Sequence, residues 1–258
     1  MDLIKVTVIT VTYNCKNDIE ETIQSVLNQD YENLEYIVID GNSKDGTLDV
    51  VEKYHNRISV FISEPDKGIY DAMNKGLRLA TGKWINFMNA GDTFNNKHVV
   101  SDIFHDISKI TNRKVIYGKT LSVKNDGTVK ETFTELKDLP DIIDWYQPYV
   151  HQSVFYNIED KSDCMYDLRY RICADYDVAC RYWKKYGLGH YLFKDIVISR
   201  YKSFDGVSSN PSNFEKLKKE SLLIKIRNRM GIISIISNLL GFAKRYVLYR
   251  CHGILKLH

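Results

Sequence analysis

The chain has 258 residues, of which 44% are hydrophobic and 27% charged, so an intrinsically disordered protein is not expected. Ten basic and two acidic residues follow Phe214, which gives this tail a net charge of +8 and leaves −5 for the rest, within a total of +3. An acidic body with a basic tail argues against a nucleic-acid-binding protein, whose main surface would be basic.

The five cysteines are odd in number, form no CxxC pair and follow no signal peptide. The apolar N-terminal run is interrupted by threonines, which is typical of a strand rather than of a secretory signal. This pattern favours a reducing, cytoplasmic location.

Strand and helix patterns alternate over residues 1–95, as in a parallel sheet. Strands are predicted at 7–12, 34–39, 58–62 and 83–92, and helices at 18–29, 47–54 and 68–80. Polar residues stand at the carboxyl ends of three strands: Tyr13, Asp40 and Asp92. Because ligands bind outside those ends, one pocket for a nucleotide and a divalent metal is expected there.

Residues 96–213 mix strands and helices without a repeat and are interpreted as an acceptor-binding half. Helices are predicted at 97–108 and 175–186, and strands at 115–123, 129–133, 153–156 and 195–200. The residues 125–127, Asn-Asp-Gly, indicate a hairpin between two of these strands.

The phosphate-binding signatures of two large enzyme classes are missing. No GxGxxG follows a strand and no GxxxxGK[ST] occurs, which argues against dinucleotide oxidoreductases and P-loop proteins. A metal held by Asp92 would bind phosphate instead, because Mg²⁺ and Mn²⁺ commonly bridge one or two carboxylates to a diphosphate. The alternative is that Asp92 caps a helix beginning near Phe94.

The segment SEPDKGIYDAMNKGL, residues 63–77, crosses from a strand into a helix. A helix start can receive an anionic group, while Asp66 can contact a ribose or base. Ordinary helix capping is the alternative. Asn74 lies in the middle of this helix, where asparagine is unfavourable, and therefore predicts a specific hydrogen bond.

Four motifs occur in order along the chain: ITVTYN, IDGNSKDGT, EPDKGIYDAMNKG and ATGKWINFMNAGD. Together they resemble the family 2 inverting glycosyltransferases with a GT-A fold, over roughly residues 4–210. The resemblance implies an α/β fold with a mostly parallel central sheet flanked by helices. It also implies a nucleoside-diphosphate sugar donor, most often a UDP-sugar, and Mn²⁺ or Mg²⁺.

By this resemblance, Tyr13 matches the residue that stacks on the base, Asp40 the first acid after the second strand, and Asp92 the last acid of the metal-binding motif. The expected donor-binding residues are Thr10, Tyr13, Asn14, Asp40, Asp66, Lys67, Asn74, Asn89, Ala90, Gly91 and Asp92. Three positions depart from the family pattern, since Gly41, Asn89 and Gly91 stand where acids are common.

RICADYDVACRYW, residues 171–183, resembles the family element that carries the catalytic base. Asp175 is in register with the base, Ala174 replaces a frequent glutamate, and Asp177 is the second candidate. An inverting transfer needs one carboxylate to accept the proton of the attacking hydroxyl. The alternative is that Asp175 only caps its helix.

Acceptor contacts are expected from His151 and Gln152, in an HQ element similar to one beside the family's acceptor site, and from Trp145. A lone histidine is more often structural, and aromatic residues are more often core. The loop SFDGVSS, residues 203–209, resembles the family's Gly-Val-Ser loop at the pocket mouth.

The predicted tail, residues 214–258, is basic, and its run MGIISIISNLLGFA at 230–243 is shorter than the roughly 20 apolar residues that span a bilayer. An apolar stripe flanked by cations favours a helix on an anionic membrane surface. Packing on the domain or a homodimer interface is the alternative.

The sequence thus predicts a catalytic domain at 1–213 followed by this tail. The expected protein is a metal-dependent inverting glycosyltransferase at the inner face of the cell membrane, extending a surface glycan on a glycan or lipid-linked acceptor. A decayed sugar-nucleotide-binding protein and a nucleotidyltransferase are the rival interpretations.

Overall fold

The computed structural model of the protein describes residues 3–124, 126–202 and 211–236. Its strands are Val6–Thr12 (β1), Leu34–Asp40 (β2), Val60–Ser63 (β3), Trp84–Phe87 (β4), Thr93–Phe94 (β5), Val115–Val123 (β6), Val129–Thr132 (β7), Val154–Asn157 (β8) and Tyr191–Lys202 (β9). Its α-helices are Ile19–Leu27 (α1), Thr47–Glu52 (α2), Ile69–Leu79 (α3), Val99–Phe104 (α4), Ile107–Ile110 (α5), Leu139–Ile143 (α6), Ala174–Tyr186 (α7) and Phe214–Arg227 (α8). The loop at 203–209 and the second half of the apolar run at 230–243, residues 237–243, lie outside the described residues.

One sheet runs through the described residues in the order β3-β2-β1-β4-β8-β6-β9-β5, with β7 beside β6. Strands β1 to β4 are mutually parallel, as the alternating pattern predicts. Strand β8 is antiparallel to both β4 and β6, whereas β9 is again parallel to β6. The carboxyl ends of β1 and β2 and the turn after β4 therefore open toward one edge, where the site lies.

The sheet separates two apolar layers, and β1 contributes to both. Ile9 packs with Leu77 and Val178 on the side of α3 and α7, whereas Val8 packs with Ile23 on the side of α1. Because both faces are covered, the strands are buried along their length, and β1 is buried at every residue.

Glu35 ties β1, β2 and the turn after α3 together. Its carboxylate accepts hydrogen bonds from Lys5 Nζ at 3.0 Å, Thr7 Oγ1 at 2.6 Å, Thr81 N at 2.7 Å and Thr81 Oγ1 at 2.5 Å. Burial alone would raise the pKa of Glu35, but these hydrogen bonds outweigh it and lower the pKa to about 2. The ionised form is therefore favoured by folding.

We expect Glu35→Gln to lower the free energy of unfolding by about 2 to 3 kcal/mol at pH 7. Since the folded-state pKa is depressed, the contribution is fully present above the unfolded-state value near 4.5 and is lost as pH falls toward 2. Denaturant unfolding of both proteins between pH 7 and pH 3 measures the difference. A constant difference across this range would contradict the electrostatic assignment.

The first part of the predicted tail packs against the domain that contains the sheet. Ile224 of α8 and Met230 are buried in the same apolar layer as Val178. The predicted boundary after Asn213 therefore does not separate α8 from the domain. Within the described residues, no helix is long and apolar enough to cross a membrane.

Candidate active site

Asp92 lies on a tight turn that follows β4. The strand ends at Phe87, five residues earlier than predicted, and Asp92 N donates to Asn89 O at 3.0 Å. Gly91 has φ +94, a left-handed conformation suited to glycine. The next helix, α4, begins at Val99 with His98 as its N-cap, so Asp92 is not a helix cap.

The Asp92 carboxylate is partly buried rather than freely solvated. Gln152 Nε2 donates to its Oδ2 at 2.6 Å. Burial raises the pKa of Asp92 to about 7, although this hydrogen bond and the positive charge of Lys202 both lower it. A carboxylate in such surroundings is more stable when a cation is bound to it.

Asn89 and Gln152, which both hydrogen-bond Asp92, have side-chain oxygens that are buried without a hydrogen-bond partner, Asn89 Oδ1 and Gln152 Oε1. Buried polar atoms are usually satisfied, so unpartnered oxygens here fit a cation that prefers oxygen ligands. No group of three His, Cys, Asp or Glu residues that could hold a metal occurs in the described part of the chain. The residues thus fit a metal held by Asp92 and completed by ligand oxygens.

Asp175 lies in the first turn of α7, and the side chains of His151 and Tyr70 lie next to its carboxylate. His151 Nδ1 is 4.0 Å from its Oδ2, and Tyr70 OH is 3.4 Å from its Oδ1. Burial raises the pKa of Asp175 to about 6, although hydrogen bonds from the Tyr176 backbone and from Tyr70 lower it. A carboxylate whose pKa approaches neutrality suits a general base.

His151 connects Asp175 to the Asp92 turn. Its Nε2 lies 3.0 Å from Asn89 Nδ2, which is a donor, so Nε2 accepts and Nδ1 carries the ring proton. Burial lowers the pKa of His151 to about 4, which keeps the ring neutral. The proton on Nδ1 therefore faces the Asp175 carboxylate.

Asp177, the second candidate for the base, is occupied by structural contacts. Arg181 Nε donates to its Oδ2 at 2.9 Å and Asn228 Nδ2 to its Oδ1 at 2.9 Å. Its side chain is only 2% exposed. The geometry favours Asp175 over Asp177.

Tyr13, Gly41 and Asp66 meet at the carboxyl ends of β1 and β2. The Tyr13 side chain is exposed, and a Cβ added to Gly41 would lie 3.2 Å from its ring and 2.5 Å from Asp66 Oδ2. The Asp66 carboxylate therefore occupies the position into which an acid at residue 41 would project. Asp66 Oδ1 also accepts from Gly68 N at 2.7 Å.

The loops next to Tyr13, Gly41 and Asp66 hold these residues in place. Asn14 has a left-handed backbone with φ 51, and its side-chain oxygen accepts from Lys44 N at 2.9 Å. Ala90 N donates to Val11 O at 3.1 Å, which joins the Asp92 turn to the end of β1. Lys67 is exposed, and its carbonyl accepts from Arg171 NH1.

Three residues predicted to contact the donor, Thr10, Asp40 and Asn74, have buried side chains with internal partners. Thr10 Oγ1 donates to Met88 O at 2.7 Å, and Asp40 accepts from Ser43 and Ser63. The Asn74 amide pairs with the backbone of Tyr166 through two hydrogen bonds of 2.8 Å, which is the specific hydrogen bond that its mid-helix position predicts. These buried residues stabilise the backbone around the site.

On the acceptor side, Trp145 is 43% exposed, as an aromatic contact surface requires. The buried Lys225 Nζ lies 5.8 Å from its ring centroid, so α8 contacts this residue too. Sequence reasoning missed several residues at the site: Tyr70, Arg171, Lys202 and Glu220. The PDKGIY motif contains Tyr70 and the RICADYDVACRYW element begins with Arg171, but no local signal marks Lys202 or Glu220.

Comparison with known proteins matches residues 7–188 to the model of "Glycosyl transferase family 2". The chain belongs to this family. Over 232 residues, 88% of each chain, it is 25% identical to a PGL/p-HBAD biosynthesis glycosyltransferase of Mycobacterium bovis. Over 90 residues, 34% of this chain and 36% of the relative, it is 39% identical to the putative teichuronic acid biosynthesis glycosyltransferase TuaG of Bacillus subtilis.

Solved structures show that this family 2 member has the GT-A-type fold predicted from its motifs. TarS 1-349 of S. aureus in complex with UDP-GlcNAc matches with a TM-score of 0.69 and 22% identity, over 98% of this chain and 76% of that one. The mannosyltransferase PcManGT of Pyrobaculum calidifontis, in complex with GDP-Man and Mn²⁺, matches with a TM-score of 0.59 and 17% identity, over 100% of this chain and 82% of that one.

Proposed function

We propose that this family 2 glycosyltransferase transfers a sugar from a nucleoside-diphosphate sugar to an acceptor hydroxyl with inversion. One observation carries the proposal: Gln152 donates a 2.6 Å hydrogen bond to Asp92, and the preceding residue, His151, has its Nδ1 4.0 Å from Asp175 Oδ2. A group that can hold a diphosphate thus lies beside a group that can accept a proton.

In the proposed reaction, Asp175 accepts the proton of the acceptor hydroxyl while that oxygen bonds to the anomeric carbon and the bond to the nucleoside diphosphate breaks. A single displacement needs one base and no nucleophilic carboxylate, and it inverts the anomeric centre. His151, neutral because burial lowers its pKa to about 4, orients the Asp175 carboxylate by directing its Nδ1 proton toward it.

A divalent cation, Mn²⁺ or Mg²⁺, would be held by Asp92 with the help of the amide oxygens of Asn89 and Gln152. When bound it would neutralise charge on the diphosphate. The absence of the commoner acids at Asn89 and Gly91 leaves Asp92 as the only carboxylate of this turn.

A UDP-sugar is the proposed donor. TarS was solved with UDP-GlcNAc, although PcManGT was solved with GDP-Man, so the family fold accepts more than one base. Tyr13 would stack on the base and Asp66 would accept its hydrogen bond, from the position left open by Gly41. Asn14, Lys67, Ala90 and Gly91 line the same edge.

For the acceptor, we propose a glycan or lipid-linked sugar in surface polysaccharide biosynthesis. Relatives carry names of teichuronic acid and PGL/p-HBAD biosynthesis. The exposed ring of Trp145 and the HQ pair, His151 and Gln152, would contact the sugar.

A peripheral position on the inner face of the cell membrane is proposed from the tail. Leu223, Ile226, Ile232, Ile233 and Ile236 are exposed, and the charges among and beside them are mostly basic. Exposed isoleucines next to cations fit the interface of an anionic bilayer. The four cysteines within the described ranges are free thiols, which is compatible with the cytoplasmic side.

Replacing Ile232, Ile233 and Ile236 together by asparagine should lower binding to anionic phospholipid vesicles by about tenfold or more, because each apolar side chain contributes to insertion. Vesicle co-sedimentation of the full chain measures this, with exposed Val129→Asn as the control. Undiminished vesicle binding would refute the membrane role of these isoleucines. A dimer that the triple variant dissociates would indicate a protein interface instead.

The decisive test is calorimetric titration with UDP, GDP, CMP and dTDP, each with and without Mn²⁺, followed by product analysis with the matching sugar nucleotide. Metal-dependent binding of one nucleotide and release of that nucleoside diphosphate support the proposal. Binding without turnover on any acceptor would favour a decayed sugar-nucleotide-binding protein, and pyrophosphate as product would indicate a nucleotidyltransferase.

A further inference from the structure

Glu220 of α8 binds the backbone segment that leads into the base. Its Oε1 accepts from Arg171 N at 2.9 Å, and its Oε2 accepts from Ile172 N at 2.8 Å and Cys173 N at 3.0 Å. The residue is only 6% exposed. A buried carboxylate is costly unless it is hydrogen-bonded, and here three consecutive amides satisfy it.

The same segment is held from its other side as well. Tyr70 OH, from α3, donates to Ile172 O at 2.7 Å, and α8 makes a further contact on its own side, where Cys173 Sγ donates to Leu217 O at 3.7 Å. Ile172 is thus bound through both its amide and its carbonyl. Amides that precede a helix have no partner within it, so an external acceptor decides where the helix starts.

We propose that Glu220 is a positioning residue for Asp175, so that α8 belongs to the catalytic machinery. Asp175 follows Cys173 by two residues, and its carboxylate is placed by the backbone that Glu220 anchors. Displacements of about 1 Å cost on the order of 100-fold in rate. The inference rests on the proposed function, in which Asp175 is the base.

Glu220 also acts on Asp175 through its charge. The titratable groups around Asp175 are Tyr70, Tyr166, His151, Cys173 and Glu220. Burial is the largest cause of the raised pKa of Asp175, and the negative charge of Glu220 adds to it. Removing that charge should therefore shift the acidic limb of the rate profile to lower pH, which a purely structural role would not do.

The test compares Glu220→Gln and Glu220→Asp with Glu215→Gln, a change at the exposed acid of the same helix. In the full chain, Glu220→Gln should lower kcat about 10- to 100-fold, keep the nucleotide affinity, and shift the acidic limb to lower pH. Glu220→Asp keeps the charge, but its side chain is too short to reach all three amides. It should therefore lower kcat while the acidic limb of the rate profile stays at the wild-type pH. Hydrogen exchange of residues 171–173 should accelerate in both.

Wild-type kcat and pH profile in both folded variants, with accelerated exchange at 171–173, would overturn the positioning role alone. If Glu220→Gln does not fold, the positioning role would be overturned by Glu220→Asp alone. The contradicting result would be an unchanged kcat together with accelerated hydrogen exchange at residues 171–173. A wild-type protein that turns over no nucleoside-diphosphate sugar would instead overturn the proposed function, and this inference with it.

Discussion

Asp175→Asn should bind the nucleotide as the wild type does but transfer sugar about 10²- to 10⁴-fold more slowly. The amide keeps the size of the side chain yet cannot accept the proton of the attacking hydroxyl. Calorimetry for binding and nucleotide release for turnover, performed on the same preparation, separate the two effects.

Asp177→Asn is the matched control, two residues along the same helix. Because Asp177 pairs with Arg181 and Asn228, we expect this variant to lose stability but to retain turnover while it is folded. Normal turnover in Asp175→Asn together with lost turnover in folded Asp177→Asn would move the base to Asp177.

The rate of the wild-type protein should also depend on the ionisation of Asp175. A base acts in its deprotonated form, and burial raises the pKa of this carboxyl to about 6. At saturating Mn²⁺ and donor, turnover should therefore be constant above this pH and fall about tenfold per unit below it. The residual activity of Asp175→Asn should lack this acidic limb.

The second large effect is expected from Asp92→Ala, which should weaken Mn²⁺-dependent nucleotide binding by at least about 100-fold. Loss of groups that merely support metal ligands already costs 10- to 100-fold, and Asp92 is the only carboxylate of its turn. Titration of UDP at several Mn²⁺ concentrations measures the change.

Asp49→Ala, at an exposed acid of α2, is the control for this substitution and should bind as the wild type does. In the wild type, protons and metal compete for Asp92, whose pKa burial raises to about 7, so more Mn²⁺ should be needed as the pH falls below that value. Unchanged metal dependence in Asp92→Ala would refute the metal assignment.

Much of the fold was predictable, because hydrophobic periodicity reports which faces of helices and strands are buried. Helix α3 and strand β6 begin and end within a residue of the prediction. The length of β4 was overestimated because the apolar run continues through Met88, which is buried although it lies beyond the strand.

The site was less predictable because a strand end does not reveal which way its side chain points. Both faces of β1 and β2 are covered, so a polar residue there can be turned inward, as Thr10 and Asp40 are, or lie in the cleft. Asn74 and Glu220 bind backbone 92 and 47 to 49 residues away, and contacts of that range leave no local pattern.

The position of α8 in the chain has a consequence for synthesis. Domains fold from the N-terminus as they leave the ribosome, at about 5–20 residues per second. A nascent chain that has not yet reached Glu220 already contains the sheet, the Asp92 turn and Asp175, but the segment before Asp175 lacks the carboxylate that binds its three amides. Full activity should therefore appear only after α8 has been made, so incomplete chains would consume sugar nucleotides slowly.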